Sequence, residues 1–307
     1  MAEYLLRRGV TVYALVRNPS QLRGLQGLPV RVLEGDLLSI PALPKDLDAV
    51  IHLAALTKAR KPEAYYSVNH IGTASLLRAV AEQGLRPRLI YVSSIAAGGP
   101  SSLGRPRRED DPAAPVSHYG RSKRLGEEEF LKLKSRFPVL ILRAGAVYGQ
   151  RDTDFLDYFK ITAKGLVLTP ARTEAQVSLV YIKDFIRALD LSLKKKVRSG
   201  EIINIASPRP TGWSELGCLA ASLLGKKPRR LSVPAPLLFA AALCSEATVR
   251  LTGRSNALTL NKYREMREGP WWADTSKAKK LLGFETRYSL EQGLSETLSW
   301  YRENRWL

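Results

Sequence analysis

The 307-residue chain is 45% hydrophobic and 25% charged, an ordinary balance for a globular protein with a real core. Its 48 basic and 29 acidic side chains leave a formal charge of +19, but the clusters Arg105-Pro106-Arg107-Arg108, Lys194-Lys195-Lys196 and Lys226-Lys227-Pro228-Arg229-Arg230 fall in predicted loops and helix ends. With no zinc finger, RNA-binding aromatic motif or repeated basic helix beside them, they read as solvated surface and argue against nucleic acid as a partner.

Cys218 and Cys244 are the only cysteines and lie far apart, which excludes a disulfide framework and a C-x-x-C zinc site and suggests a reducing, cytoplasmic compartment. His52, His70 and His118 are scattered among apolar or helical positions, so no metal site is expected.

In chain order, Met1 to Gly9 reads as a short helix with Gly9 as its C-terminal stop. Strand-like runs follow at Val10–Val16, Val30–Leu33, Ala49–Leu53, Leu89–Ser94 and Val139–Leu142, with helical stretches at Pro62–Gln83 and Ser117–Ser135. This strand–helix rhythm implies an α/β fold with a parallel sheet and right-handed crossovers. Gly98 to Pro115, rich in Gly, Pro and charge, reads as a long loop that shapes access to a site. After Tyr148-Gly149 the rhythm changes: Val177–Tyr181 and Ile202–Ala206 look like strands, and Trp213–Leu224, Pro236–Leu251, Thr275–Leu282 and Leu290–Asn304 look helical. The boundary is set near residue 150, with 1–150 and 151–307 as the two parts. The most apolar stretch, Pro234 to Thr252, contains Leu237 to Leu243 but is interrupted by Glu246 and Arg250, so it is too short and too charged to span a bilayer. A buried or substrate-covering helix is the preferred reading there, with peripheral membrane contact as the alternative.

The most informative residues are Ser94, Tyr119 and Lys123. Tyr119-Gly-Arg-Ser-Lys123 puts a phenol and an ammonium four residues apart, on one face of a helix. Ser94 ends a strand, at the rim where open α/β sheets bind ligands. A cation ~4 Å from the phenol, at an effective dielectric of ~20, offers about 4 kcal/mol, or roughly three pKa units, enough to bring a tyrosine into working range for proton transfer.

From here the chain resembles the extended short-chain dehydrogenase/reductase family, also called the NAD-dependent epimerase/dehydratase family. The matching segments are Gly35-Asp36-Leu37, His52-Leu53-Ala54-Ala55, Val68-Asn69-His70-Ile71-Gly72-Thr73, Val92-Ser93-Ser94 and Ser117-His118-Tyr119-Gly120-Arg121-Ser122-Lys123. Further on come Leu142-Arg143-Ala144-Gly145-Ala146-Val147-Tyr148-Gly149, Val180-Tyr181-Ile182-Lys183-Asp184 and Asp274-Thr275-Ser276-Lys277-Ala278.

The resemblance implies a doubly wound Rossmann-type sheet and a smaller C-terminal substrate lobe, some of whose segments return to the main sheet. It also implies an NAD or NADP cofactor. By that comparison the opening strand and glycine-rich turn, about 15 to 20 residues, are expected to be missing ahead of Met1. Val16 stands where an acidic residue would hold the adenosine 2′-hydroxyl, and Arg17 follows it; a guanidinium there favours a 2′-phosphate, hence NADP over NAD. Asp36 and Leu37 match residues flanking adenine, Leu53-Ala54-Ala55 a strip along the cofactor, and Asn69 a position that fixes the cofactor and neighbouring strand ends.

The implied chemistry is hydride transfer at a secondary alcohol or ketone. Tyr119 exchanges the oxygen's proton, Lys123 lowers its pKa and holds the nicotinamide ribose, and Ser94 bonds the substrate oxygen. Ala144 replaces a proline common in the family, and Gly98 replaces a tyrosine of many sugar-nucleotide enzymes. The expected partner is a small-molecule substrate, either a sugar nucleotide or a steroid-like or flavonol-like ketone. A homodimer, a non-catalytic dinucleotide sensor and an inactive truncated fragment stay open as alternatives.

Overall fold

The computed structural model describes residues 1–22, 24–170, 176–252 and 259–307. Runs rich in β-branched and leucine residues become strands. In chain order these are β1 (Tyr13–Val16), β2 (Arg31–Glu34), β3 (Ala49–His52), β4 (Arg88–Ser94), β5 (Val139–Ala144), β6 (Ala146–Tyr148), β7 (Leu166–Pro170), β8 (Gln176–Val177), β9 (Leu179–Tyr181), β10 (Glu201–Ile205), β11 (Thr211–Gly212) and β12 (Arg229–Val233). The helices are α1 (Ala2–Leu6), α2 (Pro62–Tyr66), α3 (Thr73–Glu82), α4 (Ile95–Gly98), α5 (His118–Lys132), α6 (Leu156–Thr162), α7 (Ile182–Lys194), α8 (Trp213–Leu223), α9 (Ala235–Thr252), α10 (Leu260–Arg267), α11 (Ser276–Leu282) and α12 (Leu290–Glu303).

Four strands in the order β10-β5-β4-β3 form one parallel sheet. Its apolar runs are buried on both faces, as a parallel sheet flanked by helices requires: Leu89, Ile90, Tyr91, Ile141, Leu142, Ile203 and Ile205 have no exposed surface. β10 comes from beyond residue 150, so the later part of the chain does return a strand to the main sheet. β1 and β2 pair in parallel with each other but form a sheet of their own, not hydrogen-bonded to β3. β1 is only half-buried and β2 is mostly exposed. The α/β parallel architecture expected from the sequence is thus present, divided at this point. A second core gathers Tyr148, Phe159, Tyr181, Leu216, Leu294 and Tyr301 between α6, α8 and α12.

The structure departs from the sequence reading in several places. β1 begins at Tyr13 rather than Val10, and the helix expected over 62–83 is interrupted by a π-helical turn at Ser67–Gly72. Short β7 and β12, and helices α6, α7 and α10, were not anticipated. Arg107 is not simply solvated: its guanidinium donates to the carbonyls of Pro100 and Pro112, and its own carbonyl receives Asp274 N at 2.8 Å, tying the 98–115 loop to the C-terminal part. The largest departure is α9. Its sequence is apolar enough for a core, yet of its described side chains only Ala242 is buried, while Leu237, Phe239 and Leu243 are 61%, 44% and 45% exposed. Among the described residues no helix is long and apolar enough to cross a membrane.

Candidate active site

The placement of Ser94, Tyr119 and Lys123 depends on how closely α5 approaches β4 and α4. Ser117 caps α5 by accepting Gly120 N at 2.9 Å, which fixes where the helix starts and so the direction of Tyr119. Two glycines permit the approach. A Cβ on Gly120 would collide with the Ala96 carbonyl of α4, and one on Gly126 would collide with the Tyr91 hydroxyl of β4. Ser94, at the end of β4, caps α4 by accepting Ala96 N at 3.1 Å, and its side chain is also hydrogen-bonded to Tyr119. The pair that the sequence placed 25 residues apart therefore meets at the C-terminal edge of the four-stranded sheet.

Lys123 is 1% exposed and its Nζ donates to Val92 O at 2.7 Å, 4.1 Å above the Tyr91 ring. A desolvated ammonium takes the nearest carbonyl and aromatic face, both of which β4 provides. Burial pushes its pKa down to about 7, partly opposed by Glu127. The acidification of the phenol expected from the sequence is not seen in this arrangement. Burial raises the Tyr119 pKa, the Ser94 hydrogen bond pulls it back, and the carboxylates of Glu265 and Asp154 push it up further. Tyr119 therefore keeps its proton at neutral pH.

Beneath the trio lies a network that the sequence reading missed. The Glu127 carboxylate has no exposed surface and accepts four hydrogen bonds: Arg143 Nε and Nη2, each at 2.8 Å, Ser93 Oγ at 2.7 Å, and Arg124 Nη1 at 3.2 Å. Bidentate pairing of this kind is what a buried carboxylate needs to offset its desolvation. A signal was present, since Glu127 is four residues beyond Lys123 on the same helix face. The run Glu127-Glu128-Glu129 concealed which of the three points inward.

Asn69, fully buried on the π turn, accepts Leu56 N at 2.7 Å and donates to Leu56 O at 3.0 Å and to Ser122 Oγ at 2.9 Å. It thereby ties the segment after β3 to α5. That segment carries Leu53, 47% exposed, exposed Ala54 and half-buried Ala55, an apolar strip tied to α5. Arg17 and Asp36 lie apart from this group, at the ends of β1 and β2, and face each other at 3.9 Å between Nε and Oδ2. Leu37 is half-buried and lies close to Gly72. His52 is buried against Thr73 and held neutral, its pKa pushed down to about 3 by burial and by Lys123. Among the described residues no group of His, Cys, Asp and Glu could hold a metal ion.

A cavity of about 590 Å³ opens beside α5. Tyr65, which lines it, meets the Tyr119 ring edge-on at 6.3 Å between centroids. Arg60, Lys61 and Arg264 bring positive charge to its walls, and Asn261 of α10 accepts His118 N at 3.0 Å, joining the cavity to the start of α5.

A family model described as "NAD dependent epimerase/dehydratase family" matches residues 1–206. The ceramide reductase of Caulobacter vibrioides is 30% identical over 286 residues, 91% of this chain and 83% of that protein. The N-acetyl-alpha-D-glucosaminyl-diphospho-ditrans,octacis-undecaprenol 4-epimerase of Escherichia coli O157:H7 is 25% identical over 276 residues, 87% of this chain and 82% of its own length. Among solved structures, the UDP-glucuronic acid 4-epimerase from Bacillus cereus in complex with NAD superposes with a TM-score of 0.78 at 22% identity, over 99% of this chain and 94% of that one, a shared fold.

Proposed function

Because the chain belongs to the NAD-dependent epimerase/dehydratase family, we propose that it is an NAD(P)-dependent oxidoreductase that reduces a ketone on a lipid-like amphiphile. The observation that carries this reading is a half-buried, protonated Tyr119 hydrogen-bonded to Ser94 beside a cavity large enough for a substrate head group. A phenol that holds its proton is suited to act as an acid, which is the role reduction requires.

The residues present fit a dinucleotide at its two ends. Lys123 would hold the nicotinamide ribose, Leu53, Ala54 and Ala55 would flank the ring, and Asn69 fixes the segment that carries them. Arg17 and Asp36 would take the adenosine end, with the guanidinium favouring a 2′-phosphate and hence NADP. No G-x-x-G-x-x-G turn occurs in the sequence to cradle the phosphates between them. When bound, the nicotinamide supplies the hydride. The chain's own residues do the rest: Ser94 Oγ bonds the substrate oxygen, and Tyr119 Oη gives that oxygen its proton. Lys123, on the same helix, would contribute positive charge to this end of the site as the proton leaves.

Two relatives support a lipid-like substrate, since by name they act on ceramide and on an undecaprenol-linked sugar. The cationic wall of Arg60, Lys61 and Arg264 favours a second reading, epimerisation of a sugar carried on a diphosphate. One assay separates them. Ketone reduction consumes NAD(P)H absorbance, whereas an epimerase changes the sugar with no net consumption. Tyr119→Phe should lower kcat about 10²- to 10⁴-fold while NAD(P)H titration is unchanged. Full activity in Tyr119→Phe would rule out the proton-transfer role.

A further inference from the structure

An apolar helix outside a core needs a partner, and among the described residues α9 packs on α10 but leaves Leu237, Phe239 and Leu243 largely exposed. From Gly225 to Ser245 the sequence holds four cations, Lys226, Lys227, Arg229 and Arg230, and no acidic residue. Arg229 and Arg230 lie on β12, whose first four residues are exposed, and among the described residues none of the four cations pairs with a carboxylate. Leu231, Leu237, Phe239 and Leu243 follow, each 44–61% exposed, and they make up four of the ten large hydrophobic side chains exposed among the described residues. Cations next to exposed leucine and phenylalanine match the charge and polarity profile of an anionic lipid surface, where cations meet headgroups and apolar side chains enter the acyl boundary. A soluble acidic protein would satisfy the cations but would leave the leucines in water.

We infer that Lys226 to Leu243 is a membrane-docking surface for anionic lipid. α9 reaches the cavity directly: Glu246 of α9 lines it. Phe239 meets the Tyr263 ring of α10 at a tilt, 5.4 Å between centroids, and α10 is the helix that supplies Asn261 and Arg264 to its wall. Docking would therefore hold against the bilayer surface a helix that lines the cavity. This orienting role rests on the lipid-like substrate proposed above; the docking itself does not. The helix lies on the surface and does not cross it.

The test is co-sedimentation of the full chain with vesicles of phosphatidylglycerol and phosphatidylcholine, compared with phosphatidylcholine alone. Binding should require phosphatidylglycerol and weaken with salt. Lys226→Gln/Lys227→Gln should weaken it roughly 30-fold, at about 1 kcal/mol per cation. Leu237→Ser/Leu243→Ser should weaken it at least tenfold, with an unchanged melting temperature showing that the fold is intact. Wild-type protein that stays in the supernatant with both vesicles, or variants that bind as wild type does, would overturn the inference. So would a wild-type dimer that Leu237→Ser/Leu243→Ser converts to monomer without any vesicle binding, since a second copy would then be the occupant. Vesicle binding by a chain that reduces no ketone would uphold docking and remove only the reaction assigned above.

Discussion

The two-stranded and the four-stranded parallel sheets differ in what holds them. β3, β4, β5 and β10 share a dry core, a helix that closes on them through Gly120 and Gly126, and a buried ion pair between Glu127 and Arg143. Among the described strands β1 and β2 pair only with each other, with half-buried and exposed side chains and an exposed ion pair between Arg17 and Asp36 at their ends. The end of the molecule where we propose the reaction occurs is therefore well packed, while the proposed adenosine end stands on a two-stranded ribbon whose side chains are half-buried or exposed. A two-stranded ribbon is marginal by itself, so its order depends on what packs or binds beside it.

The comparison is broken most directly at Glu127. Glu127→Gln leaves the Arg143 guanidinium buried without its counter-charge, and should cost about 3–5 kcal/mol in urea denaturation. A loss under about 1 kcal/mol would show that the four-stranded part does not depend on the pair.

Paired truncations sharpen the contrast. Ile90→Ala, in β4, should cost about 2–5 kcal/mol, and Val16→Ala, in β1, less than about 1 kcal/mol. Native-state hydrogen exchange should rank the same way, with β1–β2 amides opening well before those of β4–β5. Equal protection would remove the distinction.

The buried ammonium gives the inner part a pH signature. The Lys123 pKa falls from the ordinary 10.5 to about 7 on folding, so folding releases its proton wherever the pH lies between those values. The full cost of burying the charge is carried below about pH 7, and stability rises as the pH climbs from there towards 10.5. Melting curves over that window should show the rise in wild type and lose it in Lys123→Met.

The smallest effect is expected at the outer sheet. Arg17→Ala should weaken NADPH roughly tenfold, or about 1.4 kcal/mol, and leave NADH almost unchanged. Fluorescence titration with both nucleotides would measure it, and equal losses for the two would remove the 2′-phosphate role.

Much of this was legible in the chain. Apolar runs of strand length separated by helical stretches specified the parallel α/β fold, because a strand buried on both faces has to be apolar throughout. The spacing from Tyr119 to Lys123 put them on one helical face, and Ser94 at a strand end put it at the sheet's rim, since these are local consequences of helical and sheet geometry. Residue spacing does not say where a side chain finds its partner in space. Only the folded molecule turned Lys123 onto Val92 and Tyr91, chose Glu127 from three adjacent glutamates to receive Arg143, and left the Tyr119 phenol protonated through burial. The same holds for α9, whose apolar sequence suits a core as well as a surface: exposure is decided by what the rest of the chain packs against it, and here, among the described residues, only Ala242 is covered completely enough to be buried.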